Sequence, residues 1–292
     1  MNSSLKGILR GQETTLIEAM RHFLFQEQVD LFHGKLNKVI AAIVEAELNT
    51  KHAAMVIQQY TEKSKRDHSR GMFHPSQISG CLRSVYLSMI NAPTCEPYDK
   101  VGCAKMVSIF GNGDYVHLRL QNLLDRMGVL KAREIPLEDT VLRIEGHADG
   151  IVALGSKDYV LEIKSINEYG FIALRDAKPE HKEQVNLYMH CLKIPRAFIL
   201  YENKNRQEWK EYMIPFDTDL FKEQKCRIKV VEHALEEHVP PPKLTNKDGC
   251  RWCNFTDVCD QAGTFGTPKR KKVKLVKRSS IGNFLRAKNK RS

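Results

Sequence analysis

"HADGIVALGSKDYVLEIKS", residues His147 to Ser165, sets an aspartate, a short turn and then Glu-Ile-Lys within two apolar, alternating runs. Alternation with a period of two predicts strands, and Gly155 to Asp158 supply the turn between them. On the second strand Val160, Glu162 and Lys164 share one face, and Leu161, Ile163 and Ser165 the other. Pairing the strands brings Asp149 towards Glu162. Two carboxylates on a half-buried hairpin repel unless positive charge sits between them. A hard divalent cation such as Mg²⁺ meets that need through carboxylate oxygens, and Lys164 beside it is placed to orient a water or contact a phosphate. Taken alone, D-x12-E-x-K also fits a surface hairpin with ordinary ion pairs. The Val, Leu and Ile around it favour a buried face, where unpaired charge is costly.

Outward from the hairpin the pattern alternates between periods. "REIPLE" and "VLRIEGHADGIVAL" read as strands before it, and "RAFILYE" and "EWKEYMIPF" as strands after it, around the polar turn "NKNRQ". "PEHKEQVNLYMHCLKI" is helical, with Pro179 suited to a first turn. A further helix runs from about Thr218 to His238, where "VPPPKL" ends it. Upstream, "SQISGCLRSVYLSMI" predicts a helix starting near Ser76. "AKMVSIFGNGDYVHLRLQNLLDRMG" predicts one interrupted or begun near Gly111–Gly113 and stopped near Gly128. From about Thr14 to Lys65 apolar residues recur at three and four. These elements predict an α/β fold, with 1–72 as an N-terminal helical extension, 73–262 as the main domain and 263–292 as a tail.

The formal net charge of +11 is concentrated at one end. Eleven Lys or Arg residues lie between Lys269 and Arg291, and no acidic residue follows Asp260. Removing them leaves 46 − 11 = 35 bases against 35 acids, so the body is formally neutral. The tail reads as a solvated arm suited to nucleic acid through phosphate neutralisation. "PKRKKVKL" also matches a nuclear localisation signal, which applies if the host is eukaryotic. No window is apolar enough to span a membrane, and "MNSSLKGILRGQETT" lacks a signal-peptide core. An intracellular protein of the cytoplasm or nucleoid is expected, in which eight cysteines point to metal or cluster chemistry before disulfides.

The set Asp149, Glu162, Ile163, Lys164 resembles the P-D-(D/E)-x-K nuclease superfamily, with Ala148 standing where the motif has proline. The neighbourhood resembles the RecB/AddB branch. "GNGDYVHLRLQNLL" supplies Gly113 and His117 in a G-x-x-x-H-like setting, and "EQVNLYM" supplies Gln184 and Tyr188 as Q-x-x-x-Y. Four residues apart, those two share a helix face. The resemblance implies a restriction-endonuclease-like core, a central mixed sheet flanked by helices. It implies that His117, Asp149, Glu162 and the Ile163 carbonyl hold Mg²⁺ or Mn²⁺, and that Gln184 and Tyr188 position the lysine or the nucleic-acid backbone. Without it, His117 is an ordinary helix histidine, and Gln184 and Tyr188 are packing and surface polarity. Lys204 is a solvated turn lysine or a phosphate contact.

"GCRWCNFTDVC" gives Cys250, Cys253 and Cys259, spaced C-x2-C-x5-C, which lack a fourth thiolate. Cys81, in C-x-R-x-x-Y with Arg83 and Tyr86, resembles the N-terminal cysteine segment of iron–sulfur RecB-family nucleases, which include the CRISPR-associated RecB-like exonucleases. That resemblance implies a 4Fe–4S cluster stapling a helical lobe across the ends of the domain. Four thiolates suit structural Zn²⁺ equally well. Cys95 and Cys103 compete with Cys81 for the fourth position, and Cys191 and Cys226 read as core residues.

Together these readings predict a metal-dependent DNA nuclease, an exonuclease on single-stranded ends in recombination, repair or replication, and the resemblance implies 5′-phosphate products. The alternative is a non-cleaving nucleic-acid-binding or recombination accessory module on the same fold; a zinc-stapled RNA-processing protein is a third reading. The N-terminal helices either dock a helicase or other replication or recombination protein or pack on the nuclease body.

Overall fold

The computed structural model describes residues 15–32, 71–94, 100–244, 250 and 253–264. Cys95, the side chain of Cys103 and the basic tail lie outside the described residues, as do most of the N-terminal helical pattern and the signal-like "PKRKKVKL". None of the described helices is long and apolar enough to cross a membrane.

Five strands form one sheet in the order of the chain: β1 (Leu130–Asp139), β2 (Ile144–Leu154), β3 (Lys157–Ile166), β4 (Arg196–Asn203) and β5 (Trp209–Pro215). All neighbours are antiparallel except β3 and β4, which are parallel. A parallel pair needs a crossover. Here it is made by two helices that follow β3, Glu168–Ala173 and Pro179–Leu192. The sheet is therefore mixed and the fold α/β, as the alternation of periods predicts.

The helices are α1 (Leu16–Phe32), α2 (Pro75–Ile78), α3 (Leu82–Met89), α4 (Lys100–Arg126), α5 (Glu168–Ala173), α6 (Pro179–Leu192) and α7 (Thr218–Glu237). Two differ from the sequence expectation. The helix expected from Ser76 is two short ones, because Gly80 and an extended Cys81 break the backbone between α2 and α3. The expected interruption at Gly111–Gly113 does not occur, and α4 runs unbroken through both glycines. Glycine in a helix interior costs only about 1 kcal/mol each. The apolar face of α4 repays it with Val116, Leu120, Leu123 and Leu124, all buried against the sheet.

One face of the sheet meets α4 and α1 through Leu130, Val152, Leu161, Ile163 and Leu200. The other meets α6 through Ala148, Val160, Val185, Tyr188 and Tyr201. Leu16, Ile17, Met20 and Phe23 of α1 lie in the first of these cores, so this part of the N-terminal helical pattern packs on the body. Its start is a capping box. The Thr15 hydroxyl accepts from Glu18 N–H, the Glu18 carboxylate accepts from Thr15 N–H, and Glu211 on β5 accepts from Ile17 N–H at 2.9 Å. A third core joins α2, α3 and α7 to the C-terminal segment, through Ile78, Tyr86, Val231, Phe255 and Ala262.

Gly150 fixes how closely β1 approaches β2. A Cβ there would lie 2.9 Å from Leu130 Cδ1 and 3.0 Å from the Ala132 carbonyl oxygen. The second contact is backbone and cannot swing away. Gly150→Ala is expected to cost about 1–3 kcal/mol through overpacking, read as a fall in the urea midpoint with an unchanged slope.

Asp139, at the β1–β2 turn, ties the turn to α6. Its carboxylate accepts from the Val141 and Leu142 N–H groups, each at 2.9 Å, and pairs with His190 Nε2 at 2.9 Å. Burial pushes this carboxyl up, but the Leu142 and Val141 N–H groups and His190 outweigh it and hold its pKa below the usual 3.8. A pKa depressed by folding adds stability above the unfolded value and loses it as pH falls through the folded one. Asp139→Ala is expected to be about 1–2 kcal/mol less stable at neutral pH. In chemical denaturation across pH the gap should close in acid, below about pH 4.

Candidate active site

The strands β2 and β3 pair from the turn as far as Gly150 and Leu161, where the ladder ends. Beyond that point they fork, and Asp149 and Glu162 sit at the fork. The Ile163 N–H is no longer met by β2 backbone. Asp149 Oδ2 accepts from it at 2.6 Å, so a side chain satisfies the donor that the fork exposes. Asp149 stands directly before Gly150 in the sequence of β2. Gly150 is the last residue of β2 paired with β3 on this side, and the Asp149 carboxylate seals the fork beyond it.

Two helices close over the fork, each with residues one turn apart. On α4, His117 Nδ1 lies 3.3 Å from Asp149 Oδ1, and Gln121 donates to the Asp149 carbonyl at 2.9 Å. Gly113, one turn before His117, sits where a Cβ would be 3.7 Å from the Ser165 hydroxyl, so α4 lies close to the end of β3. On α6, Gln184 accepts from Lys164 Nζ at 3.1 Å and donates to the Tyr188 hydroxyl at 2.5 Å. Lys164 Nζ also pairs with Glu162 Oε1 at 2.5 Å. The structure thus brings together His117, Asp149, Glu162, Ile163, Lys164, Gln184 and Tyr188.

Electrostatics follow from crowding these charges under a half-buried roof. Burial and the neighbouring Asp149 push the Glu162 carboxyl up to about 7, against the pull of Lys164. Burial also pushes Asp149 up, but His117, Lys164 and the Ile163 N–H outweigh it and keep its pKa low. Burial alone would depress His117, yet Asp149 and Glu162 raise it to about 9. Lys164 is likewise lowered by burial and raised more by Glu162 and Asp149. It is therefore an ammonium at neutral pH, a donor and not a base. The Tyr188 hydroxyl is held neutral by burial and by the same carboxylates.

Glu162 is 2% exposed, and its Oε2 is buried with no hydrogen-bond partner among the described residues. A buried carboxylate oxygen without a donor costs about 1–3 kcal/mol or more. Together with Asp149 and the Ile163 carbonyl it is an oxygen-rich donor set, which fits a hard divalent cation better than a soft one. Among the described residues no three His, Cys, Asp or Glu side chains are gathered in metal-holding geometry. Lys164 is paired with Glu162, and Asp149 is taken up by the Ile163 N–H and His117.

The sequence matches no protein-family model and no curated protein. Among solved structures, the chain is similar to the crystal structure of SSO0001, at 19% identity and a TM-score of 0.45, over 76% of this chain and 97% of that one. It is also similar to an alkaline exonuclease, LHK-Exo, from Laribacter hongkongensis, at 14% identity and a TM-score of 0.44, over 59% of this chain and 91% of that one. The complex of LHK-Exo with dAMP gives 16% and 0.45 over the same shares.

Two residues of this site were not singled out in the sequence. Gln121 is fully buried one turn beyond His117, and besides Asp149 it donates to Glu134 Oε1 at 3.2 Å. Glu134 lies in "REIPLE" on β1. Extending the His117 helix face by four residues would have found Gln121. Nothing local marks Glu134, because the side chain that holds it, Gln121, comes from α4. Lys204 stands in the β4–β5 turn, where its N–H donates to the Ile166 carbonyl at the end of β3.

The cysteines lie apart from the fork. Cys81 is the extended residue before α3, and Arg83 on that helix donates to the Cys259 carbonyl at 3.0 Å and the Pro241 carbonyl at 2.6 Å. Cys253 Sγ lies 4.0 Å from the Ser84 hydroxyl, and Cys253 N–H donates to the Cys250 carbonyl. The C-terminal segment therefore folds back onto the helix that begins at Cys81. All four thiols are half-buried and none is in a disulfide. Tyr86 is buried in the third core, against which Cys253 packs, with no partner for its hydroxyl among the described residues. Cys191 is half-buried, and burial pushes its thiol up to about 12; Cys226 is exposed and so is not the core residue expected.

Proposed function

We propose that this protein is a divalent-metal-dependent DNA nuclease, an exonuclease on single-stranded ends, hydrolysing phosphodiester bonds with a metal-activated water. The observation that carries the reading is the buried Glu162, with one oxygen lacking a partner, beside Asp149 and an ammonium held by Gln184. Asp149, Glu162, His117 and the Ile163 carbonyl would hold Mg²⁺ or Mn²⁺. When bound, the ion would lower the pKa of a water and neutralise charge on the attacked phosphate.

The chain's own groups do the rest. Lys164, kept charged, donates to the attacking water or to a phosphate oxygen. Gln184 holds its ammonium in place, and Tyr188 holds the Gln184 amide, so the lysine points along one line. His117 and the Ile163 N–H fix the two Asp149 oxygens. The basic tail attracts the phosphate backbone without sequence preference.

We further propose that Cys81, Cys250, Cys253 and Cys259 bind a 4Fe–4S cluster, with structural Zn²⁺ as the alternative. Half-buried, unpaired thiols on two segments that fold against each other support it. The experiment that tests the function is digestion of end-labelled single-stranded DNA with Mg²⁺ or Mn²⁺, alongside circular and duplex DNA and RNA. Cleavage confined to linear single strands supports the proposal. DNA binding without metal-dependent cleavage would instead assign a non-cleaving accessory role.

A further inference from the structure

We propose that His181 binds a phosphate oxygen of the nucleic-acid strand, through an Nε2–H that Tyr201 directs outward beside Lys164. This inference deepens the nuclease reading of the site and rests on it. Two routes place His181 next to Lys164. On the sheet, Lys164 and Tyr201 are partners in the β3–β4 ladder, so their side chains rise from the same face of strands about 4.8 Å apart. His181 Nδ1 lies 2.7 Å from the Tyr201 hydroxyl. On α6, His181 precedes Gln184 by three residues and is its neighbour on the helix surface, and Gln184 accepts from Lys164 Nζ at 3.1 Å.

The tautomer follows from Tyr201. Its hydroxyl accepts from the Lys178 N–H at 3.0 Å, and burial pushes its pKa up, so it keeps its proton. His181 Nδ1 is the acceptor which that proton meets. Burial, Lys164 and Lys178 push His181 down to about 3, so the ring is neutral at neutral pH. A neutral ring that accepts at Nδ1 carries its hydrogen at Nε2. The ring is half-buried, and no hydrogen bond reaches Nε2 among the described residues. The fold therefore employs one nitrogen and leaves the other as a fixed donor.

The ligand class follows from charge. Asp149 and Glu162 make the fork acidic and raise His117, whereas positive neighbours hold His181 neutral. The exposed Glu180 acts on Lys164, yet at His181 the two lysines prevail. A fixed N–H among ammonium groups suits an anion with oxygens to accept, and the phosphates of a strand are such anions. A metal ion would need Nε2 without its hydrogen, which the Tyr201 contact disfavours.

The test is binding and cleavage of a short single-stranded DNA by the full chain, with affinity read by fluorescence anisotropy in Ca²⁺ and rate by single-turnover digestion in Mg²⁺. Each oligonucleotide carries one methylphosphonate, which replaces a charged phosphate oxygen by methyl, at a position moved along the strand. His181→Ala should bind unmodified DNA about 10–100-fold more weakly, the worth of a hydrogen bond to a charged group. Its maximal rate should be unchanged, as for a contact made equally before and in the transition state. At one position the methylphosphonate should weaken wild type by a similar factor and leave His181→Ala no weaker than before. His181→Gln, whose amide reaches the level of Nε2, should keep most of the affinity, and His181→Asn, whose amide stops at the level of Nδ1, should not. Unchanged affinity in His181→Ala would overturn the inference. So would equal losses in the glutamine and asparagine variants, or a loss that follows melting temperature and couples to no single phosphate. Wild type that binds the strand without cutting it would overturn the nuclease reading alone, and the affinities would still decide His181. Wild type that does not bind the strand would overturn both.

Discussion

Lys164→Ala is expected to lower metal-dependent cleavage of single-stranded DNA by about 10²–10⁴-fold, the contribution of one positioned proton-handling group. The same variant should bind Mn²⁺ at least as tightly as wild type. Both follow from one contact. Lys164 Nζ holds Glu162 Oε1 at 2.5 Å, and its removal deletes the only cation that reaches that oxygen through the side-chain contacts described above. Removing the ammonium removes its repulsion of a divalent ion, while the water or phosphate loses its donor. The fold should survive, because a buried carboxylate left unpaired takes up a proton instead of remaining charged. Single-turnover digestion and calorimetric Mn²⁺ binding separate the two effects. Cleavage within about threefold of wild type, far below the range of about 10²–10⁴ for a positioned proton donor, would remove Lys164 from the reaction.

Replacing Cys253 by serine is expected to have the largest effect on stability. The proposed ligand set, joining Cys81 to the segment at Cys250, would close most of the folded domain into one loop. For a covalent cross-link of that span, loop closure is worth about 5 kcal/mol, an upper reference for a metal staple. The contacts that remain include those of Arg83 with the Cys259 and Pro241 carbonyls and the packing of Phe255 and Ala262. They hold the segment only against the third core. Cys253→Ser should therefore lose the visible absorption of thiolate-bound iron, near roughly 400 nm, and become open to proteolysis after Pro241. Anaerobic purification with iron and zinc analysis reads the first, and limited proteolysis the second. Full stability without any bound metal would sink the staple and leave the docked segment as ordinary packing.

Much of this architecture is legible in short-range pattern. The period of two in 147–165 places Val160, Glu162 and Lys164 on one face, and the structure buries or half-buries all three there. A spacing of four sets Gln184 above Tyr188, and they do bond each other. Pro179 announces the start of α6. Each of these depends on backbone geometry within a few residues, which local sequence controls.

What tertiary structure decided is which faces meet, and where regular pairing stops. Strand alternation could bring Asp149 towards Glu162, but not show that the ladder ends at Gly150 and that Asp149 satisfies the Ile163 N–H in its place. Two glycines suggested a break in α4, and burial of its apolar face overrode them. Glu134 looks like any polar strand residue until Gln121, from a helix, donates to both its carboxylate and the Asp149 carbonyl. The physical reason is common to all three. Propensity and periodicity act over one or two turns or strand residues, whereas burial and the pairing of orphaned polar groups join segments far apart in the chain.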